Sequence, residues 1–94
     1  MRDARIISPS DIRLYYFGSK DVLSQPNERE SRSRKLKQAM VLSNYEHQPI
    51  SIYIQLPTGE TLETQSDHVD FAGDFVIVRG GYAIPVSAII DVDV

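Results

Sequence analysis

Cysteine and tryptophan are both absent from these 94 residues. Without cysteine there is no disulfide framework, no thiol nucleophile and no thiolate zinc site. No apolar run approaches the roughly 20 residues needed to cross a bilayer as a helix. The opening MRDARIISPSDIR mixes charge and aliphatics too closely for a signal peptide. The expectations from these absences are a cytoplasmic location and no membrane contact. Basic residues are scarce after Asn44, where Arg79 stands alone against eight acids: Glu46, Glu60, Glu63, Asp67, Asp70, Asp74, Asp91 and Asp93. Residues 1–44 carry the reverse bias, nine bases against five acids. A net charge of -3 therefore conceals a basic first half and an acidic second half, which bears on partners more than on fold.

What is present is enough for one small globular domain: 41% hydrophobic and 24% charged residues. Residues 1–27 read as a partly ordered N-terminal arm. Within it Ile12 to Phe17 is rich in β-formers and bounded by turn residues, so it is assigned a short strand. Tyr15, Tyr16 and Phe17 put aromatics on both faces of such a strand, one toward the core and one toward a partner. Residues 28–43 read as a helix, with Asn27 as N-cap, Glu30 three positions on, and Ser43-Asn44 as its stop. Glu28 with Arg32 and Glu30 with Arg34 are spaced as i,i+4 ion pairs.

From Pro49 the period changes to two. Ile50, Ile52, Ile54 and Leu56 alternate with polar positions, as on a half-buried strand. Pro57-Thr58-Gly59-Glu60 and Gly80-Gly81 mark hairpin turns. Phe75 to Val78 is apolar on both faces and is expected to be the most buried strand. In the last strand, Ile89 to Val94, alternation assigns Ile90, Val92 and Val94 to one face. Residues 28–94 thus read as a helix followed by about five short antiparallel strands. The fold class is mainly β, a small antiparallel barrel of Sm-like or SH3-like plan.

This order is similar to the Sm-like barrels, and to the family of the bacterial RNA chaperone Hfq in particular. Pro49-Ile50-Ser51-Ile52-Tyr53-Ile54 resembles the start of that family's first strand. Gly59 and Leu62 fall near its hairpin glycine and following leucine. Asp74-Phe75-Val76-Ile77 resembles its D-x-F-V-I segment, and Ala88-Ile89 its A-I before the last strand. The resemblance covers about half of the chain and implies the fold. Its implications for RNA contact are thinner: Ile84-Pro85-Val86 stands where the family has tyrosine-lysine-histidine. Asn44, Tyr45 and His47 stand at its basic rim, and Glu63 or Thr64 near its second-strand glycine. Phe75 alone remains as a base-stacking residue by this comparison, with a buried core phenylalanine as the competing reading. More loosely, the barrel resembles the Sm-like inhibitor of Rho, an acidic barrel that binds a basic RNA-binding protein.

No nucleophile has a visible activating neighbour, so an enzyme is not expected. Asp67, His68, Asp70 and Asp74 are the only cluster of hard ligands, and their spacing departs from a calcium loop. Neither metal nor cofactor is expected. Two functions stay in view. The first is a non-enzymatic protein-interaction or regulatory module whose acidic barrel meets a basic partner, or a second copy, through Tyr15, Tyr16, Phe17, Asp67, Asp70 and Asp74. The second is an RNA-binding module using Arg29, Arg32, Arg34, Lys35 and Lys37. They differ in one respect: nucleic-acid binding requires the basic helix face to be free, whereas the interaction reading lets the barrel occupy it.

Overall fold

A computed structural model describes residues 3–94. About a third of the chain is strand and about a third helical, in two sheets and one long helix. The helix α1 runs Pro26–Glu46, longer at both ends than the sequence suggests. Pro26 sits in its first turn, where a fixed φ and a missing N–H cost nothing. The carbonyl of Gln25 accepts from Glu28 and Arg29 N–H, so Asn27 lies inside the helix and does not cap it. Ser43-Asn44 does not end it either, because Ser43 is fully buried on the packing face. The stop comes at His47, in the left-handed region at φ 54°, whose N–H bonds the Leu42 carbonyl. One narrow stripe, Arg32, Leu36, Ala39 and Ser43, is buried, at the i, i+4, i+7, i+11 spacing of one helix face.

The first sheet has the order β1-β3-β2-β7. Strands β2 (Ile50–Gln55) and β3 (Thr61–Ser66) form a hairpin closed through Gly59 at φ 91°, with Leu56 N–H on the Glu60 carbonyl at 2.9 Å. The last strand, β7 (Ile89–Asp93), pairs antiparallel with the other edge of β2, and β1 (Arg5–Ile6) runs parallel to β3. The second sheet, β4-β5-β6, is a meander of Val69–Ala72, Phe75–Val78 and Tyr82–Pro85. The chain turns from one sheet to the other at Ser66. Its Oγ donates to the His68 carbonyl and accepts from His68 and Arg79 N–H, which uses every bond a hydroxyl has.

Ile50, Ile52, Ile54 and Leu62 meet Val69, Val76, Val78 and Ile84 between the sheets, all without solvent exposure. The period-two reading of β2 therefore holds. In β7 the alternation is broken. Tyr53 pairs with Asp91 but Ile54 with Ile89, so Ile90 is an extra, bulged residue. The bulge moves the inward pair to Ile89 and Val92 and leaves Ile90 half-buried. Strand β5 also departs from expectation: Val76 and Val78 are buried, but Phe75 is 45% exposed and Ile77 half-buried. Only one face of the second sheet is covered.

Among the described residues no ladder joins the two sheets into a ring. The seams between them are covered by other elements. Helix α1 packs on β7 and β4, and a 3-10 helix over Pro9–Leu14 packs on β6 and β3. That 3-10 helix replaces the strand assigned to Ile12–Phe17. Pro9 opens it, and Ser8 N–H bonds the Asp11 carboxylate at 3.3 Å, a local device that overrides the β preference of the following aromatics. Ile12 is 2% exposed beneath it. Further bonds tie residues 3–24 to the rest of the domain: Ile7 N–H on the Glu63 carbonyl of β3, and Val22 N–H on the Ser87 carbonyl, in the turn between β6 and β7, at 2.8 Å.

Candidate interaction surface

The five bases singled out on α1 do not form one free face. Arg32 is 6% exposed, and its Nη1 and Nη2 bind both Asp21 oxygens at 2.8 and 2.6 Å. Nη1 also donates to the Ile89 carbonyl at 3.0 Å. Arg29 bonds the Leu23 carbonyl at 2.7 Å and lies 3.6 Å from Asp21. The Lys35 ammonium is 2.8 Å from Asp91 of β7, and Arg34 is 3.4 Å from Glu30, the i,i+4 partner read from sequence. Lys37 is exposed. Four of the five therefore face acids of their own chain.

This pairing has an electrostatic signature at Asp21. The hydrogen bonds from Arg32 hold its carboxyl below the ordinary range, against the opposing effect of burial, and the Leu23 N–H and the charge of Arg29 assist. A bidentate guanidinium–carboxylate pair of this kind is the geometry that most favours the ionised acid. Its two members are 11 residues apart, so neither helix periodicity nor the i,i+4 rule could have found it.

The aromatic triplet is divided. Tyr15 and Phe17 pack against the core, while Tyr16 is 77% exposed. The acidic trio is divided as well. Asp67 is ion-paired with Arg79, which lowers its pKa, whereas Asp70 and Asp74 are exposed. Asp70 Oδ1 accepts its neighbour's N–H, from Phe71, at 2.8 Å. Among the described residues no three histidine or carboxylate groups gather as a metal set, and no helix is long and apolar enough to cross a membrane.

Asp70 and Asp74 do flank something: the uncovered face of the second sheet. On it Asp70, Ile77 and Ala83 form one cross-strand row, and Ala72, Phe75 and Pro85 the next. All six are exposed or half-buried. The result is an apolar strip centred on Phe75 and Ile77, with Asp70 at one end of a row and Asp74 in the adjoining turn. The sequence carried its signal, the double-sided apolar run of β5, but that run also describes a strand buried on both faces.

Comparison with protein-family models, curated proteins and solved structures finds no match. Function therefore rests on the chain's own geometry: a helix whose Arg32 and Lys35 are held by acids of the chain while Arg29, Arg34 and Lys37 stay exposed, and an apolar, acid-flanked strip turned outward. Contiguous exposed apolar residues on a sheet face, rimmed by charge, are the usual composition of a protein-docking surface.

Proposed function

We propose that this chain is a non-enzymatic interaction module, a small barrel of the Sm-like or SH3-like kind that binds a basic protein segment. The plan is supported by a helix before a strand meander whose last strand returns to its first, entered through a 3-10 turn over Val86–Ala88. The observation that supports the function is the pairing of α1: Arg32 and Lys35 are held by Asp21 and Asp91, which withdraws two of the five helix bases from any phosphate, while Asp70 and Asp74 stay exposed beside the apolar strip. The docking surface is the outer face of β4, β5 and β6. Phe75 and Ile77 supply apolar contact, and Asp70 and Asp74 select cationic neighbours and speed encounter.

RNA binding is the second reading, favoured by the exposure of Phe75, which leaves its ring open to base stacking, and of Arg34 and Lys37. One titration separates the two. A peptide alternating arginine and leucine, and single-stranded oligouridylate, are each added to the chain over a salt series. The expected result is saturable peptide binding that weakens with salt and is lost in Asp70→Lys/Asp74→Lys, with no RNA binding at low salt. RNA binding abolished by Arg34→Glu/Lys37→Glu, with the peptide inert, would overturn the first reading and install the second.

A further inference from the structure

The strip on the second sheet has a counterpart on α1. Val41 is 51% and Tyr45 81% exposed, one helical turn apart. The row Arg34, Gln38, Val41 and Tyr45 repeats the spacing of the buried stripe Arg32, Leu36, Ala39 and Ser43, starting two residues later. Two residues turn the helix by about 200°, so this row points away from the chain's own sheets. All four of its residues are exposed. Its N-terminal end is cationic. Arg34 meets only the exposed Glu30, at 3.4 Å, and Lys37 beside it has no ion-pair partner among the described residues. Its C-terminal end is apolar and aromatic. The strip combines the same apolar character with the opposite charge, Phe75 and Ile77 with Asp70 and Asp74. The two surfaces adjoin: Lys37 and Asp74 line one groove between α1 and the β4–β5 turn, and no ion pair joins them across it.

We propose that the strip is covered by α1 of a second copy of this chain, in a two-fold dimer. This rests on the reading of the strip as a docking surface for a basic segment, and it names the segment. Each copy lays the outer row of α1 on the strip of the other. Val41 and Tyr45 meet Phe75 and Ile77, and Arg34 and Lys37 meet Asp70 and Asp74. Because the two surfaces border one groove, a two-fold axis beside it makes both contacts at once, and a patch that holds both halves is self-complementary. Charge favours the same arrangement. Two strips face to face, or two helix rows, set like charges together, whereas a row on a strip sets cations against carboxylates. One contact then accounts for exposed apolar residues on both the helix and the sheet.

The test is the mass of the full chain in solution, by sedimentation equilibrium over a concentration and salt series. The wild-type chain is expected to pass from one copy to two as concentration rises, and to do so sooner at low salt. Two charge reversals then separate the surfaces. In a pair of identical chains Arg34→Glu/Lys37→Glu sets acid against acid, and Asp70→Lys/Asp74→Lys sets base against base. Each alone should pair at least about tenfold more weakly than wild type. In an equimolar mixture of the two every contact again joins opposite charges, and pairing should return. Tyr45→Ser and Phe75→Ser, which keep the charges, should each weaken pairing severalfold. A wild-type chain that stays single at millimolar concentration would overturn the proposal. So would a mixture that pairs no better than its components, or unchanged pairing in Tyr45→Ser or Phe75→Ser. The peptide titration keeps the two readings apart, because Arg34→Glu/Lys37→Glu has an intact strip. Peptide bound there, with no wild-type dimer, removes this inference and leaves the function; a strip that takes neither peptide nor a second copy removes both.

Discussion

Replacing Asp21 by asparagine keeps the shape of the side chain and removes its charge. The Leu23 N–H, which Asp21 Oδ1 accepts at 2.9 Å, can still be satisfied by the amide oxygen. Arg32 cannot: its terminal nitrogens then meet a neutral group, half of which is itself a donor. Removing one partner of a buried ion pair costs about 3–5 kcal/mol. Asp21 retains 20% exposure and Arg32 keeps its bond to the Ile89 carbonyl, so the lower end, about 3 kcal/mol, is expected. For a domain of this size that lowers Tm by more than about 10 °C. Urea unfolding at neutral pH measures the loss directly. In an Arg32→Met background the same change should cost little, because no charge is left unpaired. The pH dependence follows from the sign of the shift. Asp21 has a folded pKa below its unfolded value, so the bridge contributes fully above about pH 4 and fades as pH falls through the lower folded value. The gap between the two proteins should therefore close in strong acid. A cost under about 1 kcal/mol, the value of an exposed pair, would refute the reasoning, as would a gap that does not change with pH.

Two other buried polar groups make opposite predictions. Ser43 Oγ accepts the buried Val69 N–H at 3.1 Å, so Ser43→Ala should destabilise by about 1–3 kcal/mol in urea, the cost of an orphaned donor. Thr64 is fully buried with no partner for its hydroxyl among the described residues, so Thr64→Val should leave stability unchanged or raise it by up to about 1 kcal/mol. A Thr64→Val chain that is clearly less stable would show that the hydroxyl has an acceptor.

The strands after Pro49 were legible because their core residues alternate and their turns carry glycine where φ is positive, as at Gly59 and Gly80. The helix was legible in kind but short at both ends, since its limits depend on Pro26 and on the burial of Ser43, a packing fact. Bulging at Ile90 could not be read at all: alternation alone assigns Ile90 inward, and only pairing with β2 shows Ile89 in its place. The site was less legible than the fold. Arg32, Lys35 and Lys37 look equivalent in sequence, yet one is buried, one is bound to an acid 56 residues away and one is exposed. Phe75 shows the same limit in the other direction, as an apolar residue in an apolar run that nonetheless faces out.

The seams between the two sheets set an order for the folding of the chain. Residues 22 to 36 are made early, but their partners lie at Ser87, Ile89 and Asp91. During synthesis α1 can form as an isolated helix, with Arg32 solvated and its packing stripe uncovered. It can meet β4 first, where Ser43 accepts the Val69 N–H, but its docking is complete only when β7 emerges and closes on β2. Contacts of such long sequence separation slow folding, because the intervening chain must be closed into a loop before they form. The contacts of Val22, Arg32 and Lys35 with Ser87, Ile89 and Asp91 therefore form only when nearly all of the residues are available.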